Sequence, residues 1–124
     1  MGTQDQKRTI LIVEDEKALL EILKTNLEES GFKVLTTTNG VEGLEALKKH
    51  QVDLVLLDLL MPLMSGFDVL EEMGKKKIAV PVIVLSNLGQ QEDVNKIKAS
   101  GAKEYLIKSD TPISVVVEKI KSQF

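Results

Sequence analysis

Residues 53–66 read Asp53-Leu-Val-Leu-Leu-Asp58-Leu-Leu-Met61-Pro62-Leu-Met64-Ser-Gly66. The four apolar residues before Asp58 leave no polar position for a solvent-facing side. They predict a strand buried on both faces, as in a parallel sheet. Asp58 then stands at the carboxyl end of that strand. Pro62 and Gly66 shape a turn, and Phe67, Leu70 and Met73 recur at helical spacing through a segment from Phe67 to Lys76.

Similar apolar runs lie on either side, at Thr9 to Val13, Lys33 to Thr37, Val80 to Leu85 and Ala102 to Ile107. The second is more polar and suits an edge strand. Helical patterns separate them. Leu19, Ile22, Leu23 and Leu27 mark Lys17 to Ser30, with Gly31 placed as a stop. Val41, Leu44 and Leu47 mark a helix to Lys49 that holds Gly43, a residue costing about 1 kcal/mol relative to Ala, so this helix is expected to be short or mobile. His50 at its end complements the helix dipole. Val94 and Ile97 mark Gln90 to Ser100. Thr111 is predicted as an N-cap with Pro112 as the first helical residue. Ile113, Val116, Val117, Ile120 and Phe124 then form one stripe, with Val115 off it. Five alternations of strand and helix predict an α/β fold, a doubly wound parallel sheet with helices on both faces and Asp53 to Leu57 at its centre.

The 124 residues fit one domain, expected over residues 9–124 after a disordered lead-in at 1–8. The absence of Cys excludes a disulfide framework, a thiolate zinc site and a thiol nucleophile. A net charge of −3 gives no footprint for nucleic acid or an anionic membrane. No apolar run approaches the about 18 residues of a membrane span, and Met1 to Thr9 lacks the apolar core of a secretory signal. A cytoplasmic location is expected.

Ligands of doubly wound sheets bind beyond the carboxyl ends of the strands. There the sequence places Glu14 and Asp15 after the first strand, Asp58 after the third, Ser86 after the fourth and Lys108 after the fifth; the second ends in Thr36, Thr37 and Thr38. Three acids brought together repel, and a divalent cation relieves them. Hard oxygens without sulfur make Mg²⁺ the expected ion. A metal, an ammonium and a hydroxyl around one carboxylate suit phosphoryl transfer, with Asp58 as nucleophile and Glu14 and Asp15 holding the metal.

Glu14-Asp15, the run Asp58 to Gly66 with its Met61-Pro62, Met64 and Gly66, Ser86 and Lys108 together resemble the receiver domain of two-component response regulators. The similarity runs from about Thr9 to Phe124, and the chain is expected to be stand-alone, similar to the chemotaxis-type single-domain regulators. It implies a flavodoxin-like (βα)5 fold with strand order 2-1-3-4-5. It implies phosphorylation of Asp58 by a sensor histidine kinase or histidine phosphotransfer protein. It further implies Mg²⁺ held by Asp15, Asp58 and the Leu60 backbone carbonyl, with Glu14 acting through a metal-bound water. Lys108 would pair with the phosphoryl group. Ser86 would donate its hydroxyl to it, and Tyr105, three residues before Lys108, would turn inward as a switch. The output expected is an effector protein bound through the fourth helix, fifth strand and fifth helix, by a monomer or weak dimer with no direct contact to nucleic acid or membrane.

Ser109 stands where the family usually has Pro, so the Lys108–Ser109 bond is expected to be trans. Leu60 and Leu88 flank the path of a hydrolytic water and cannot orient it, which predicts a long-lived phosphoryl group. Competing readings are an Mg²⁺-dependent aspartyl phosphotransferase or phosphatase acting on small molecules, and a docking module that no longer uses phosphate. The first lacks a second acid at Leu60 and a cap domain. The second is disfavoured because every chemical residue is present. An FMN protein of this topology would be repelled by Glu14-Asp15-Glu16.

Overall fold

In the computed structural model, which describes residues 7–87 and 91–124, strands and helices alternate along the chain. The order is β1 (Thr9–Val13), α1 (Lys17–Glu29), β2 (Lys33–Thr37), α2 (Gly40–Lys49), β3 (Leu54–Leu57), α3 (Gly66–Lys75), β4 (Val82–Ser86), α4 (Gln91–Ala99), β5 (Glu104–Ile107) and α5 (Ile113–Lys121). A 3₁₀ turn at Lys108–Asp110 joins β5 to α5. The strands form one parallel sheet in the order β2-β1-β3-β4-β5. Residues 1–6 of the expected lead-in lie outside the described residues.

Because successive strand residues point to opposite faces, the apolar runs feed two cores. Ile10, Ile12, Leu54, Leu56 and Ile83 pack with Leu23 and Leu27 of α1 and Val116 and Ile120 of α5. Leu11, Val13, Val55, Leu57 and Val84 pack with Leu44 and Leu47 of α2, Val69 and Leu70 of α3 and Ile97 of α4. Each fully buried side chain of this size contributes about 1.5–3 kcal/mol. The register sets Val13 opposite both Thr37 and Leu57, Leu57 opposite Val84, and Ser86 opposite Ile107. The carboxyl ends of the strands therefore share one rim.

The boundaries differ from expectation where a local group intervenes. The β4 strand starts at Val82 because Pro81 has no N–H for the ladder, although its carbonyl still accepts from Val55 N–H at 3.0 Å. Asp53 sits just outside β3, where its carboxylate accepts the Thr9 N–H at 2.7 Å. In α1 the buried stripe is Leu20, Leu23 and Leu27, and Ile22 is exposed. Val41 of α2 is also exposed. That helix opens one residue earlier, at Gly40, because the Asn39 side chain accepts the Glu42 N–H at 2.9 Å. Thr111 does not cap α5: its hydroxyl donates to the Ile107 carbonyl at 2.7 Å, and Pro112 is the flanking residue. Phe124 lies past the end of α5, with its ring centroid 5.9 Å from that of Phe32 and the Arg8 guanidinium 4.9 Å from its own. Val115 is exposed as expected, while the side chain of Val94 lies outside the described residues. No described peptide bond is cis.

Gly43 has a packing role. A Cβ there would stand 2.8 Å and 3.0 Å from the two γ-methyls of buried Val13, so the missing side chain lets α2 seat closely on β1. The helix is a regular ten-residue element, not a shortened one. Gly74 of α3 meets nothing within 4 Å. Gly43→Ala is expected to destabilise the fold by about 1–3 kcal/mol through overpacking, despite its better helix propensity. Gly74→Ala is expected to be neutral or stabilising by up to about 1 kcal/mol. Urea unfolding of the two variants checks the contrast.

Candidate functional site

Among the described residues the buried polar or charged side chains are Glu14, Asp58 and Ser86, exposed by 2%, 3% and 0%. All three stand at carboxyl ends of strands on the shared rim. Their burial follows from the strands that carry them, which are apolar up to the preceding residue. Backbone bonds hold the rim together: Asp58 N–H donates to the Val13 carbonyl at 3.0 Å and Glu14 N–H to the Thr37 carbonyl at 3.1 Å.

The Asp58 carboxylate is held from several sides. Its Oδ1 accepts the Ser86 hydroxyl at 3.1 Å and the Leu60 N–H at 3.2 Å, and its Oδ2 lies 3.4 Å from the Lys108 ammonium. Lys108 Nζ also lies 3.1 Å from Glu14 Oε1 and 3.7 Å from Glu16 Oε1. Glu14 Oε2 accepts the Glu16 N–H at 3.0 Å. Carboxylate oxygens of Glu14, exposed Asp15 and Asp58 lie within 4.8 Å of one another. This all-oxygen donor set fits a hard divalent cation. Leu60 follows Asp58 by two residues and is 56% exposed. Leu88, the other expected neighbour of a hydrolytic water, lies outside the described residues.

The loop after Asp58 is tightly made. Met64 N–H donates to the Pro62 carbonyl at 2.8 Å across Leu63, whose φ is +69°. A left-handed Leu costs about 1–3 kcal/mol and persists only where its surroundings impose it. Gly66, the first residue of α3, donates its N–H to the Leu59 carbonyl at 3.0 Å. A Cβ on Gly66 would collide with the Asp58 carbonyl oxygen and stand 2.7 Å from Leu59 Cα. Thus Gly66 brings α3 onto the backbone of the acid as well as shaping the turn. On β5, Tyr105 is opposite Val84 and half-buried, its ring packed against the core that α2, α3 and α4 share.

The electrostatics are unbalanced. Glu14 is pushed up to about 7, first by burial and then by the charge of Asp58, against the opposing pull of the Glu16 N–H and Lys108. For Lys108, burial lowers the pKa, but the charge of Asp58 and the hydrogen bond and charge of Glu14 outweigh it, and the net shift is upward. One ammonium thus stays charged while serving two buried acids and Glu16. It cannot neutralise them all, so the rim carries surplus negative charge.

Sequence reasoning brought Glu14, Asp15, Asp58, Ser86 and Lys108 to one rim, and the structure places all five there. It missed Glu16 as a partner of Lys108. The signal was its place one residue after the paired acids, which alone is weak because acids commonly face solvent in loops.

A doubly wound sheet in the order 2-1-3-4-5, with an acid cluster, a hydroxyl and an ammonium at its carboxyl rim, defines a flavodoxin-like α/β protein with a polar site at its strand ends. The chain belongs to the response regulator receiver domain family, whose model matches residues 10–120. It is 35% identical to the response regulator SaeR of Staphylococcus aureus over 108 residues, which cover 87% of this chain and 47% of SaeR. The chain therefore spans about half the length of the curated relatives it matches. The crystal structure of the CheY-like receiver domain protein from Methanospirillum hungatei is similar, with 29% identity, a TM-score of 0.88 and coverage of 95% of this chain and 94% of that one. So is the response regulator TrrA from Thermotoga maritima, solved in complex with Mg²⁺ and BeF, with 35% identity, a TM-score of 0.82 and coverage of 94% and 99%. Among the described residues, no helix is long and apolar enough to cross a membrane.

The raised Glu14 has a consequence for stability. Between its ordinary value of 4.5 and about 7, the folded chain binds this proton more tightly than the unfolded chain. Stability from this group is present at acid pH and is lost as pH rises through about 7. In chelator, wild type and Glu14→Gln are expected to have similar Tm near about pH 5, with wild type falling behind by about pH 8. Added Mg²⁺ should close the gap. Circular dichroism melts check the slope.

Proposed function

We propose that Asp58 accepts a phosphoryl group from the phosphohistidine of a sensor kinase or phosphotransfer protein, and that the resulting acyl phosphate alters the surface offered to a downstream effector. The observation that carries this reading is the Asp58 carboxylate itself, nearly inaccessible yet contacted by the Ser86 hydroxyl and the Lys108 ammonium beside two further acids. In the transfer, a carboxylate oxygen of Asp58 forms the new bond to phosphorus while the bond from phosphorus to the imidazole nitrogen breaks. The electron pair of that bond stays on the imidazole.

Asp15, Asp58 and the Leu60 carbonyl are the proposed ligands of Mg²⁺, with Glu14 reaching it through water; the ion would offset the charge that gathers on the phosphoryl oxygens. Ser86 and the Leu60 N–H orient the nucleophile before the reaction. Afterwards Lys108 pairs with the phosphoryl oxygens and Ser86 donates to them. Val84 and Ser86 lie on the face of β4 that matches Tyr105 on β5, so movement of Ser86 opens space into which the Tyr105 ring turns. The shift is read by an effector on the surface of α4, β5 and α5. Such a ligand acts through its different affinity for two states of that surface.

In this reading the chain's own chemistry is gain and loss of its phosphoryl group, without turnover of a small molecule. It works in the cytoplasm as a monomer or weak dimer, contacting neither nucleic acid nor membrane directly.

With acetyl phosphate and Mg²⁺, intact-mass measurement should show one phosphoryl group on wild type. Asp58→Asn should show none at this site while retaining its circular dichroism spectrum. Lys108→Ala should still bind Mg²⁺ but label about a hundredfold more slowly, the loss typical of a removed charge-stabilising donor. The apolar Leu60 beside the acceptor predicts a phosphoryl half-life of minutes or longer in buffer with Mg²⁺. Decay within seconds contradicts that.

A further inference from the structure

Asn87 directly follows Ser86 at the end of β4, and Ser109 directly follows Lys108 in the turn after β5. The Ser109 backbone N–H donates to Asn87 Oδ1 at 2.8 Å. One residue back on each segment stand two groups that touch the acceptor: Ser86 donates to Asp58 Oδ1 at 3.1 Å, and Lys108 lies 3.4 Å from Asp58 Oδ2. The contacts close a ring, from Asp58 through Ser86 and Asn87 to Ser109, and back through Lys108 to Asp58. A proline at 109 would have no N–H and could not complete it. The turn is also tied at its far side, where the Thr111 hydroxyl donates to the Ile107 carbonyl at 2.7 Å.

Lysine is a flexible side chain with several rotatable bonds, so the aim of its ammonium depends on how firmly its backbone is held. In this chain the backbone immediately after Lys108 is fixed by the side chain of Asn87, the residue that follows Ser86 at the end of β4. We propose that Asn87 is a positioning residue, holding the Lys108 turn through the Ser109 N–H so that the ammonium meets a group bound at Asp58. The inference rests on the reading of Asp58 as phosphoacceptor and adds Asn87 and the Ser109 backbone to the parts that serve it. Asn87 acts through the backbone of Ser109 and is not a catalytic residue.

Titration calorimetry with Mg²⁺ alone, and then with beryllofluoride in saturating Mg²⁺, separates the roles. Asn87→Ala should leave Mg²⁺ affinity within about twofold of wild type, because the acids are untouched, and weaken beryllofluoride binding about fivefold, the loss of one hydrogen bond. Ser109→Ala keeps the N–H and should bind as wild type. Ser109→Pro should match Asn87→Ala, and the double variant should be no weaker than Ser109→Pro alone, since the two changes remove one bond. If Ser109→Pro does not fold, the Ser109 amide proton resonance takes its place and should move upfield in Asn87→Ala. An Asn87→Ala variant that binds beryllofluoride as wild type does overturns the proposal. So do a parallel loss of Mg²⁺ affinity, additive effects in the double variant, or an unmoved Ser109 amide. Wild type that binds no beryllofluoride refutes the phosphoacceptor reading itself. Wild-type binding with a silent Asn87→Ala refutes the positioning role alone.

Discussion

Two carboxylates, Glu14 and Asp58, are buried beside one ammonium, that of Lys108, which lies 3.1 Å from the first and 3.4 Å from the second. Removing charges from water is costly unless the partners stay close and the remaining lone pairs are bonded. Here the Ser86 hydroxyl and the N–H groups of Leu60 and Glu16 supply the bonds. The arrangement still leaves two buried acids and Glu16 sharing a single positive charge. Glu14, pushed toward its protonated form, registers that shortfall. A site of this kind is tolerant of added positive charge and responsive to any group that redirects the ammonium.

The rest of the fold serves that cluster. The parallel register brings the acids of β1 and β3, the hydroxyl of β4 and the ammonium after β5 to one rim. Apolar strands buried on both faces leave the end groups little freedom to drift. Two glycines set the helix distances: Gly43 seats α2 on Val13, directly before Glu14, and Gly66 seats α3 on the backbone at Asp58. Leu63, three residues before Gly66, adopts a left-handed backbone at a local cost in the loop that leads into α3. Close-packed interiors favour discrete rearrangements over gradual ones.

Much of this is legible in the sequence. Runs such as Ile10 to Val13 and Leu54 to Leu57 have no polar alternation, and only a sheet covered on both sides accommodates them. The strand-end rule then collected Glu14, Asp15, Asp58, Ser86 and Lys108. What escaped has physical reasons. Leu19, Leu20, Ile22 and Leu23 fit several overlapping helical stripes, so periodicity could not choose Leu20 over Ile22 as the buried member. Gly43 looked like a weakness because its value lies in a contact with Val13, thirty residues away in sequence. Thr111 looked like a cap because its alternative partner, the Ile107 carbonyl, exists only once the turn has formed. The pairing of Glu16 with Lys108 and of Asn87 with Ser109 depends on side-chain aim across strand ends, for which a sequence offers no spacing to count.

Lys108 is shared between two buried acids, and in the proposed function it passes to a phosphoryl group when one arrives. A crystal structure of the chain grown with Mg²⁺ and beryllofluoride tests it most directly. The metal is expected on Asp15 and Asp58, beryllium bonded to an Asp58 carboxylate oxygen and carrying its fluorides, and Lys108 Nζ moved from Glu14 onto a fluoride. A complex in which the ammonium keeps its place on Glu14, or in which the metal settles away from Asp58, would contradict it.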